Sequence, residues 1–270
     1  MSMDQNTELY VRLTLIDGIG PVTQNHLLEI CGGINACFDI DIEEIAKLDR
    51  KMHGRFRIRK TRLQKFGEQR NSSAVRSVAE QILLLCEKKD VNIICSNDST
   101  YPDRFTGIPQ IPVLLYICGD LRLNQYTNSV GIIGARRCIQ DTKDAAIQIA
   151  EEKSNSGYAL ISGLAKGIDS YTHTAAIKTG GYTIAVLGSG PDLCYPKEHQ
   201  ALYDTILQTG CILSEYPPGT TPRKYTFPAR NRLIAALSDE VYVIGAERRS
   251  GTESTVEYCR KYGREVIEID

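Results

Sequence analysis

The spacing of apolar residues along the chain predicts helices in its first quarter. Across residues 7–70, apolar side chains recur every three or four positions, as at Leu9, Leu13 and Ile16. That period is typical of short helices that pack one face against a core. We therefore predict a small all-helical domain over residues 1–70.

The segment LIDGIGP at residues 15–21 interrupts this helical pattern. Gly18 and Gly20 occupy turn positions, and Pro21 stands early in the next helix, which is typical of a tight helix-to-helix connection. A hairpin of this kind can present backbone N–H groups to a nucleic-acid phosphate. A purely structural connection fits the same residues, so both interpretations stay open.

Beyond this region the pattern changes from helices alone to strands that alternate with helices. One long helix is predicted over about 72–89, capped by Ser72 or Ser73. Short β-branched runs then predict strands at 91–95, 113–117, 130–133, 159–161, 183–187, 211–213, 240–244 and 265–269. Amphipathic stretches predict helices at 142–155, 169–178, 198–208, 229–237 and 252–262. Apolar strands alternating with helices indicate a doubly wound, mainly parallel α/β sheet over about 90–270.

Composition and cysteine usage narrow the class of protein. With 42% hydrophobic and 24% charged residues, the chain is not disordered, collagen-like or a disulfide scaffold. No apolar run approaches the roughly 20 residues that cross a bilayer, and the first residues lack the layout of a secretion signal. The nine cysteines include no C-x-x-C pair, which favours reduced thiols over disulfides or zinc. We expect a cytoplasmic protein without a membrane segment.

The net charge of −1 conceals a strong local asymmetry. Residues 1–50 contain three basic and nine acidic side chains, whereas residues 51–70 contain eight basic and one acidic side chain. A switch of this kind indicates either a surface that faces an anion or a solvated basic helix. We expect at most a supporting role for residues 51–70 in anion binding.

Three glycine-rich turns come directly after predicted strands. They are GIIGARR at 131–137, ISGLAKGID at 161–169 and LGSG at 187–190. Ligands of such sheets bind outside the carboxyl ends of the strands, where small residues let backbone approach an anion. Each turn alone also suits a tight strand-to-helix connection. Together they predict an anion site that uses Gly134, Arg136, Arg137, Gly163, Lys166 and Gly167.

These turns do not match the common nucleotide-binding loops. The sequence contains no G-x-x-x-x-G-K-[ST] segment, which argues against a Walker-type site. After Gly188 and Gly190, Leu193 stands where a dinucleotide fingerprint requires its third glycine.

A fourth segment alternates basic and aromatic residues. It runs from Tyr216 to Arg232 and contains Arg223, Lys224, Tyr225, Phe227, Arg230, Asn231 and Arg232. Cations that follow a backbone and rings that stack on bases suit a single polynucleotide strand. The alternative is that Phe227 fills the core and the arginines neutralise the ends of neighbouring helices.

The sequence offers little for catalysis. His26, His53, His173 and His199 lie in different elements without metal-ligand spacing, and no G-x-S-x-G segment is present. We interpret Asp169 as a helix cap and Glu215 as a residue that orients the basic segment, and a general-base role is the alternative for either carboxylate. We therefore expect no catalytic residues, no metal and no cofactor.

Six ordered blocks resemble the DNA-processing protein A family, also called DprA or Smf. They are GIIGARR, LISGLAKGIDSYTH, TIAVLGSGPDLCYPKEH, LSEYPPGTTP, FPARNRLIAALSD and RSGTEST, and the resemblance covers about residues 100–270. It implies a helix-hairpin-helix or SAM-like domain over 1–70, a connecting helix and first strands over 71–128, and a Rossmann-like core over 129–270.

The resemblance also implies a function. Members of this family bind single-stranded DNA without being enzymes, help to load the recombinase RecA in natural transformation or recombination, and form homodimers. The strand-binding residues it implies are Gly134, Arg136, Arg137, Gly163, Lys166, Gly167, Phe227, Arg230, Asn231 and Arg232. Because the sequence ends at Asp270, we expect no C-terminal winged-helix domain of the kind that some members carry.

The last block departs from the family and keeps two other functions open. After Gly251, the residues TESTVE place two acids near the expected site. Related Rossmann-like enzymes that cleave nucleoside monophosphates carry P-G-G-x-G-T-x-x-E, but here Arg248 and Arg249 replace the glycine pair and Thr255 replaces the carboxylate. A protein-interaction module that keeps the fold without binding DNA is the other alternative.

Overall fold

The computed structural model describes residues 5–52, 57–246 and 251–270. The chain divides into two compact units. The first comprises Met1–Lys88, Cys95–Asn97 and Pro109–Leu114, and the second comprises Lys89–Ile94, Asp98–Ile108 and Leu115–Asp270.

The first unit is helical, as the apolar spacing predicts. Its helices are α1 (Gln5–Leu15), α2 (Pro21–Cys31), α3 (Ile34–Asp39), α4 (Ile42–Lys51), α5 (Lys60–Gln69) and α6 (Ser73–Lys88). The side chains of Leu13, Leu27, Ile45 and Phe66 are fully buried and form its core. Helix α6 packs against α1, so this unit continues beyond residue 70.

The second unit carries most of an eight-stranded sheet. Its strands are β1 (Asn92–Cys95), β2 (Leu114–Gly119), β3 (Ser129–Gly134), β4 (Ala159–Ser162), β5 (Thr183–Leu187), β6 (Cys211–Ser214), β7 (Glu240–Ile244) and β8 (Glu265–Ile269). Their order across the sheet is β1-β2-β6-β5-β4-β3-β7-β8. Strands β3 to β8 run parallel to one another, and β2 pairs with β6 in the antiparallel sense.

Five helices connect the parallel strands. They are α7 (Gln140–Asn155), α8 (Ile168–Lys178), α9 (Gln200–Thr209), α10 (Thr226–Leu237) and α11 (Glu253–Tyr262). Ala146 and Ala150 of α7 pack with Val130, Ile132 and Leu160 of the sheet in one fully buried cluster. The prediction of a doubly wound, mainly parallel α/β fold preceded in the sequence by a helical unit is confirmed.

Helix α10 begins earlier than the sequence predicts. The apolar pattern places its start at residue 229, whereas the helix begins at Thr226 and includes Phe227 and Pro228 in its first turn. Proline is tolerated there because the first N–H groups of a helix have no partner within the helix. The Thr226 hydroxyl bonds to the backbone of Arg223 and closes the turn before the helix.

The strand order reverses between β3 and β7. Successive crossovers from β3 lead through β4 and β5 to β6 on one side, while β7 and β8 lie on the other side. Gly134 and Ile244 are paired at the carboxyl ends of β3 and β7. Folds of this type bind ligands at such a reversal, so this edge is the place to look for a site.

Candidate nucleic-acid interface

A cavity of about 660 Å³ opens at this reversal. Its wall combines the turns after β3 and β7 with the first turns of α10 and α11. Six of the residues chosen from the sequence line it, namely Gly134, Arg136, Arg137, Phe227, Arg230 and Asn231. The remaining four, Gly163, Lys166, Gly167 and Arg232, lie outside the lining.

Arg136 and Arg137 are exposed cations of this wall. Both follow β3 directly, and the N–H of Ala135 donates to the carbonyl of Ile244 at 3.0 Å, which fixes the start of their turn. Among the residues that the structure describes, neither arginine forms an ion pair. Two guanidinium groups are therefore available to an anion that enters the cavity.

The turn after β4 packs against the turn that carries Arg136 and Arg137. Gly167 has φ 77°, and a Cβ at this position would lie 2.2 Å from the carbonyl oxygen of Ala135. Only glycine combines that backbone conformation with that close approach. The turn thus fits tightly against the segment that leads to Arg136.

The Asp169 side chain binds the turn after β4 and does not cap helix α8. Its Oδ2 accepts hydrogen bonds from the N–H groups of Gly163 at 3.1 Å and Ala165 at 3.3 Å. Burial raises the pKa of this carboxyl group, and the charge of Arg230 and the two N–H donors act in the opposite direction. The prediction of a helix cap at Asp169 is wrong because the carboxylate turns back toward the loop.

Arg230 lines the cavity but is almost fully buried. Its Nη1 donates to the carbonyl of Gly163 at 2.8 Å and also bonds to the carbonyl of Val186. A Cβ on Gly163 would lie 2.0 Å from that nitrogen, so glycine is required for the guanidinium to fit. Burial lowers the pKa of Arg230, and the nearby carboxylate of Asp169 opposes that effect. Arg230 therefore ties the β4 and β5 ends to α10.

Asn231 and Arg232 also have internal partners. The Asn231 amide donates to the carbonyl of Gly251 and to the hydroxyl of Ser254, both at 2.9 Å, and so holds the start of α11. Arg232 is 7% exposed and forms an ion pair with Glu215. It therefore does not face solvent, and it does not line the cavity. The sequence interpretation of Glu215 as an orienting residue agrees with this pair.

Lys166 lies on the surface beside the cavity. Its ammonium group is paired with the carboxylate of Glu198, and both side chains are 56% exposed. Sequence reasoning placed Lys166 with the other cations because it follows a strand, but the partner Glu198 lies in a distant part of the sequence. The pair leaves Lys166 with less free charge than Arg136.

One cationic and one aromatic side chain outside the predicted binding set also line the wall. Lys224 is exposed, and the Tyr195 ring lies 5.6 Å from the Phe227 ring, measured between centroids. Lys224 belongs to the alternating basic and aromatic segment, so that pattern could have indicated it. Tyr195 comes after β5, and only the tertiary fold brings it to Phe227.

Metal-ligating side chains do not cluster in the part of the chain that the structure describes. Within the described ranges, no three His, Cys, Asp or Glu side chains are placed to hold a metal ion. His173 is fully buried, shares a hydrogen bond with the Thr183 hydroxyl, and has its pKa lowered to about 3 by burial. His53 lies outside the described residues. The arrangement offers cations and rings, which suits binding of a polyanion with flat bases.

The chain has clear relatives. The family profile described as DNA recombination-mediator protein A matches residues 92–270. DNA processing protein DprA of Streptococcus pneumoniae is 41% identical over 172 residues, which cover 64% of this chain and 60% of that protein. Protein Smf of Synechocystis is 37% identical over 186 residues, which cover 68% of this chain and 47% of that protein. The chain thus spans about half of the length of these curated relatives.

Solved structures show the same similarity in three dimensions. The crystal structure of DNA processing protein A from Streptococcus pneumoniae superposes with a TM-score of 0.78 at 32% identity, covering 99% of this chain and 87% of that chain. DNA processing protein A from Helicobacter pylori, whose structure is described as explaining its single-stranded DNA binding mode, superposes with a TM-score of 0.61 at 32% identity over 66% of this chain and 80% of that chain. The six sequence blocks, the fold and the family profile agree, and the chain belongs to the DNA recombination-mediator protein A family.

Proposed function

We propose that this chain binds single-stranded DNA in the cavity at the β3/β7 reversal and acts as a recombination mediator rather than as an enzyme. The observation that carries the proposal is the meeting of two exposed guanidinium groups, Arg136 and Arg137, with the Phe227 ring in one cavity. Phosphates and bases alternate along a single strand, so this combination matches its chemistry.

A single strand fits this wall better than a duplex does. Stacking on Phe227 requires the flat face of a base, and in a duplex that face is covered by the neighbouring base pairs. Contacts to phosphates carry no base code, so binding should be insensitive to sequence. The relative from Helicobacter pylori, described by its single-stranded DNA binding mode, supports this choice.

The residues divide into contacting and supporting groups in this proposal. Arg136 and Arg137 bind phosphate and Phe227 stacks on a base. Backbone approaches at Gly134, Gly163 and Gly167 shape the turns, and Arg230 and Asn231 hold the wall in place. Lys166 and Arg232 act at the edge of the site or from beneath it, because each is paired with a carboxylate.

The test compares Arg136→Ala with Arg260→Ala. Arg260 is an exposed arginine on α11 that does not line the cavity, so its removal changes the net charge equally. We expect Arg136→Ala to weaken binding of an unpaired oligonucleotide and to reduce the salt slope by about 0.7 for each phosphate that the variant no longer binds. Arg260→Ala should bind like the parent protein. Equal affinities of all three proteins over a range of salt concentrations would contradict the proposal.

The two alternative functions are not favoured. In the nucleotide-cleaving alternative, a carboxylate is required at the position of Thr255, and Thr255 is a buried hydroxyl residue in this wall. Arg248 and Arg249, which depart from that motif, lie outside the described residues. Incubation with nucleoside monophosphates tests this alternative, because base release would support it. A protein-interaction module without DNA contact predicts no mobility shift with an unpaired oligonucleotide.

Two partners are part of the same proposal, and family membership supports them. The family description names recombination mediation, which supports a RecA-type recombinase as the protein partner. We also propose a homodimer, which the mass of the protein in solution tests directly.

All nine cysteines are free thiols, which supports a reducing cytoplasm as the site of action. Among the described residues, no helix is long and apolar enough to cross a membrane.

A further inference from the structure

Tyr195 is a large aromatic side chain that remains half exposed beside the cavity. The residue is 50% exposed, and it lines the same wall as Arg136 and Lys224. The Tyr195 and Phe227 rings meet with their planes inclined by 37°. Two aromatic rings from different segments thus form one apolar surface next to the cations of the site.

The segment that carries Tyr195 is held at several points. The hydroxyl of Ser214 donates to the carbonyl of Ser189 at 2.6 Å, before Tyr195. After it, Nδ1 of His199 lies 3.0 Å from the carbonyl oxygen of Leu164. These contacts hold both ends of the loop, so the exposure of the ring does not result from an unanchored segment. A preorganised ring loses little conformational freedom when it binds a ligand.

Phe227 is held equally well. It lies in the first turn of α10, and a Cβ on Gly188 would lie 3.3 Å from its Cδ1 atom. The missing side chain at Gly188 therefore lets the Phe227 ring pack directly against the turn after β5. The same turn leads to Tyr195, so one loop positions both rings.

We infer that Tyr195 and Phe227 together form the stacking surface for an unpaired nucleobase, and that Tyr195 is a base-binding residue of this site. The inference rests on the proposed function and extends it to a residue that sequence reasoning missed. An exposed ring alone would suit many apolar ligands. Beside the guanidinium groups of Arg136 and Arg137 and the ammonium group of Lys224, the ligand that matches is a flat base joined to a phosphate.

Bases and phosphates of a bound strand contribute separately to its affinity for this site. Stacking contributes about 1–3 kcal/mol per base, which corresponds to an affinity change of roughly 5- to 150-fold. An oligomer of abasic sites keeps the phosphates but offers no base to the rings. Loss of Tyr195 should therefore weaken binding of oligothymidylate and leave binding of the abasic oligomer unchanged.

The first experiment titrates Tyr195→Ala, Tyr195→Phe and Tyr171→Ala with both oligomers. We expect Tyr195→Ala to reduce affinity at least fivefold for oligothymidylate alone, and Tyr195→Phe to bind like the parent protein because it retains the ring. Tyr171 is the matched control, because it lines a different groove, with Lys143 of α7. Weaker binding of both oligomers by Tyr195→Ala would show a shape or folding effect and overturn the inference.

A second readout does not depend on removing the ring. The chain contains no tryptophan, so Tyr195→Trp introduces a single reporter at the proposed contact. We expect oligothymidylate to change its emission strongly and the abasic oligomer to leave it nearly unchanged. If the parent protein binds the oligonucleotide and Arg136→Ala weakens it, but no Tyr195 variant responds, this inference fails while the proposed function stands. If the parent protein binds neither oligomer, the proposed function itself fails.

Discussion

Arg232 and Glu215 form a two-pronged ion pair in which Nη1 to Oε1 and Nη2 to Oε2 are each 2.5 Å apart. The two side chains are only 9% and 13% exposed. Burial opposes the charge of Arg232, but the hydrogen bonds and the charge of Glu215 outweigh it and raise the pKa of the guanidinium. An arginine that sequence reasoning assigned to DNA thus has its charge balanced inside the protein.

Removing one member of this pair should destabilise the fold. Arg232→Ala leaves the Glu215 carboxylate buried without its partner, which costs about 3–5 kcal/mol of the free energy of unfolding. Urea denaturation measures this change. The double variant Arg232→Met with Glu215→Leu removes both charges and should recover most of it. A loss of DNA affinity in folded Arg232→Ala as large as that of Arg136→Ala, with the same reduction of the salt slope, would contradict the supporting role and place this arginine on the strand.

Lys166 should respond to the removal of its surface partner. Glu198→Gln releases Lys166 and deletes a negative charge beside the cavity, and ion pairs this exposed to solvent are weak. We expect affinity for single-stranded DNA to rise, by no more than about fivefold at low salt. Glu87→Gln, an exposed change on α6, is the control of equal charge. Lys166→Ala should weaken binding less than Arg136→Ala, and the opposite ranking would contradict this assignment.

The basic segment 51–70 permits a narrower prediction than the sequence alone does. Lys65 is paired with Asp17 at 2.5 Å, and Arg62 donates to the Thr23 hydroxyl at 3.3 Å. Arg59 and Lys60 are exposed and have no ion pair within the described residues, and residues 53–56 lie outside them. Arg59 and Lys60 are therefore available to an anion.

Charge reversal at Arg59 and Lys60 tests the supporting role of that segment. We expect the double change to glutamate to lower affinity for long oligonucleotides and to reduce the salt slope by about 0.7 for each phosphate that is no longer neutralised. Lys47→Glu, at a lysine already paired with Glu44, serves as the comparison. A salt slope equal to that of the parent protein would show that the segment is only a solvated surface.

His173 should make stability depend on pH in the acidic range. Burial, followed by the charges of Arg230 and His199, lowers its pKa from 6.5 to about 3. Below pH 6.5 the unfolded chain binds this proton and the folded chain does not. The free energy of unfolding therefore decreases as the pH is lowered from 6.5 to about 3. The slope from one such group is about 1.4 kcal/mol per pH unit.

His173→Gln measures this contribution by comparison. Between pH 6 and pH 4, which lie inside the window set by the pKa shift, stability of the variant should fall less steeply than that of the parent protein. Asp169 acts in the opposite direction, because its pKa is raised and its protonation favours the folded state, but it is present in both proteins and cancels. Above pH 7 the two pH profiles should run parallel. Parallel profiles throughout would show that His173 does not carry the effect.

The sequence by itself determined the order of elements and the family. All eight predicted strands are present, because β-branched runs and their separating turns are local features that each segment carries on its own. Placing the glycine-rich turns after strands was enough to predict one edge of the sheet as the site. The predicted start of α10 was three residues too late. Proline usually ends a helical pattern in a sequence, but Pro228 is tolerated in the first turn of this helix.

Only the tertiary structure decided which of the predicted residues are available to a ligand. Arg136, Arg230 and Arg232 are chemically alike in the sequence, yet one is exposed and two are buried against partners from other elements. Tyr195 joined Phe227 because β5 and α10 pack together, a contact that no local pattern encodes. Availability depends on burial and on long-range pairing, and both arise only when distant segments pack.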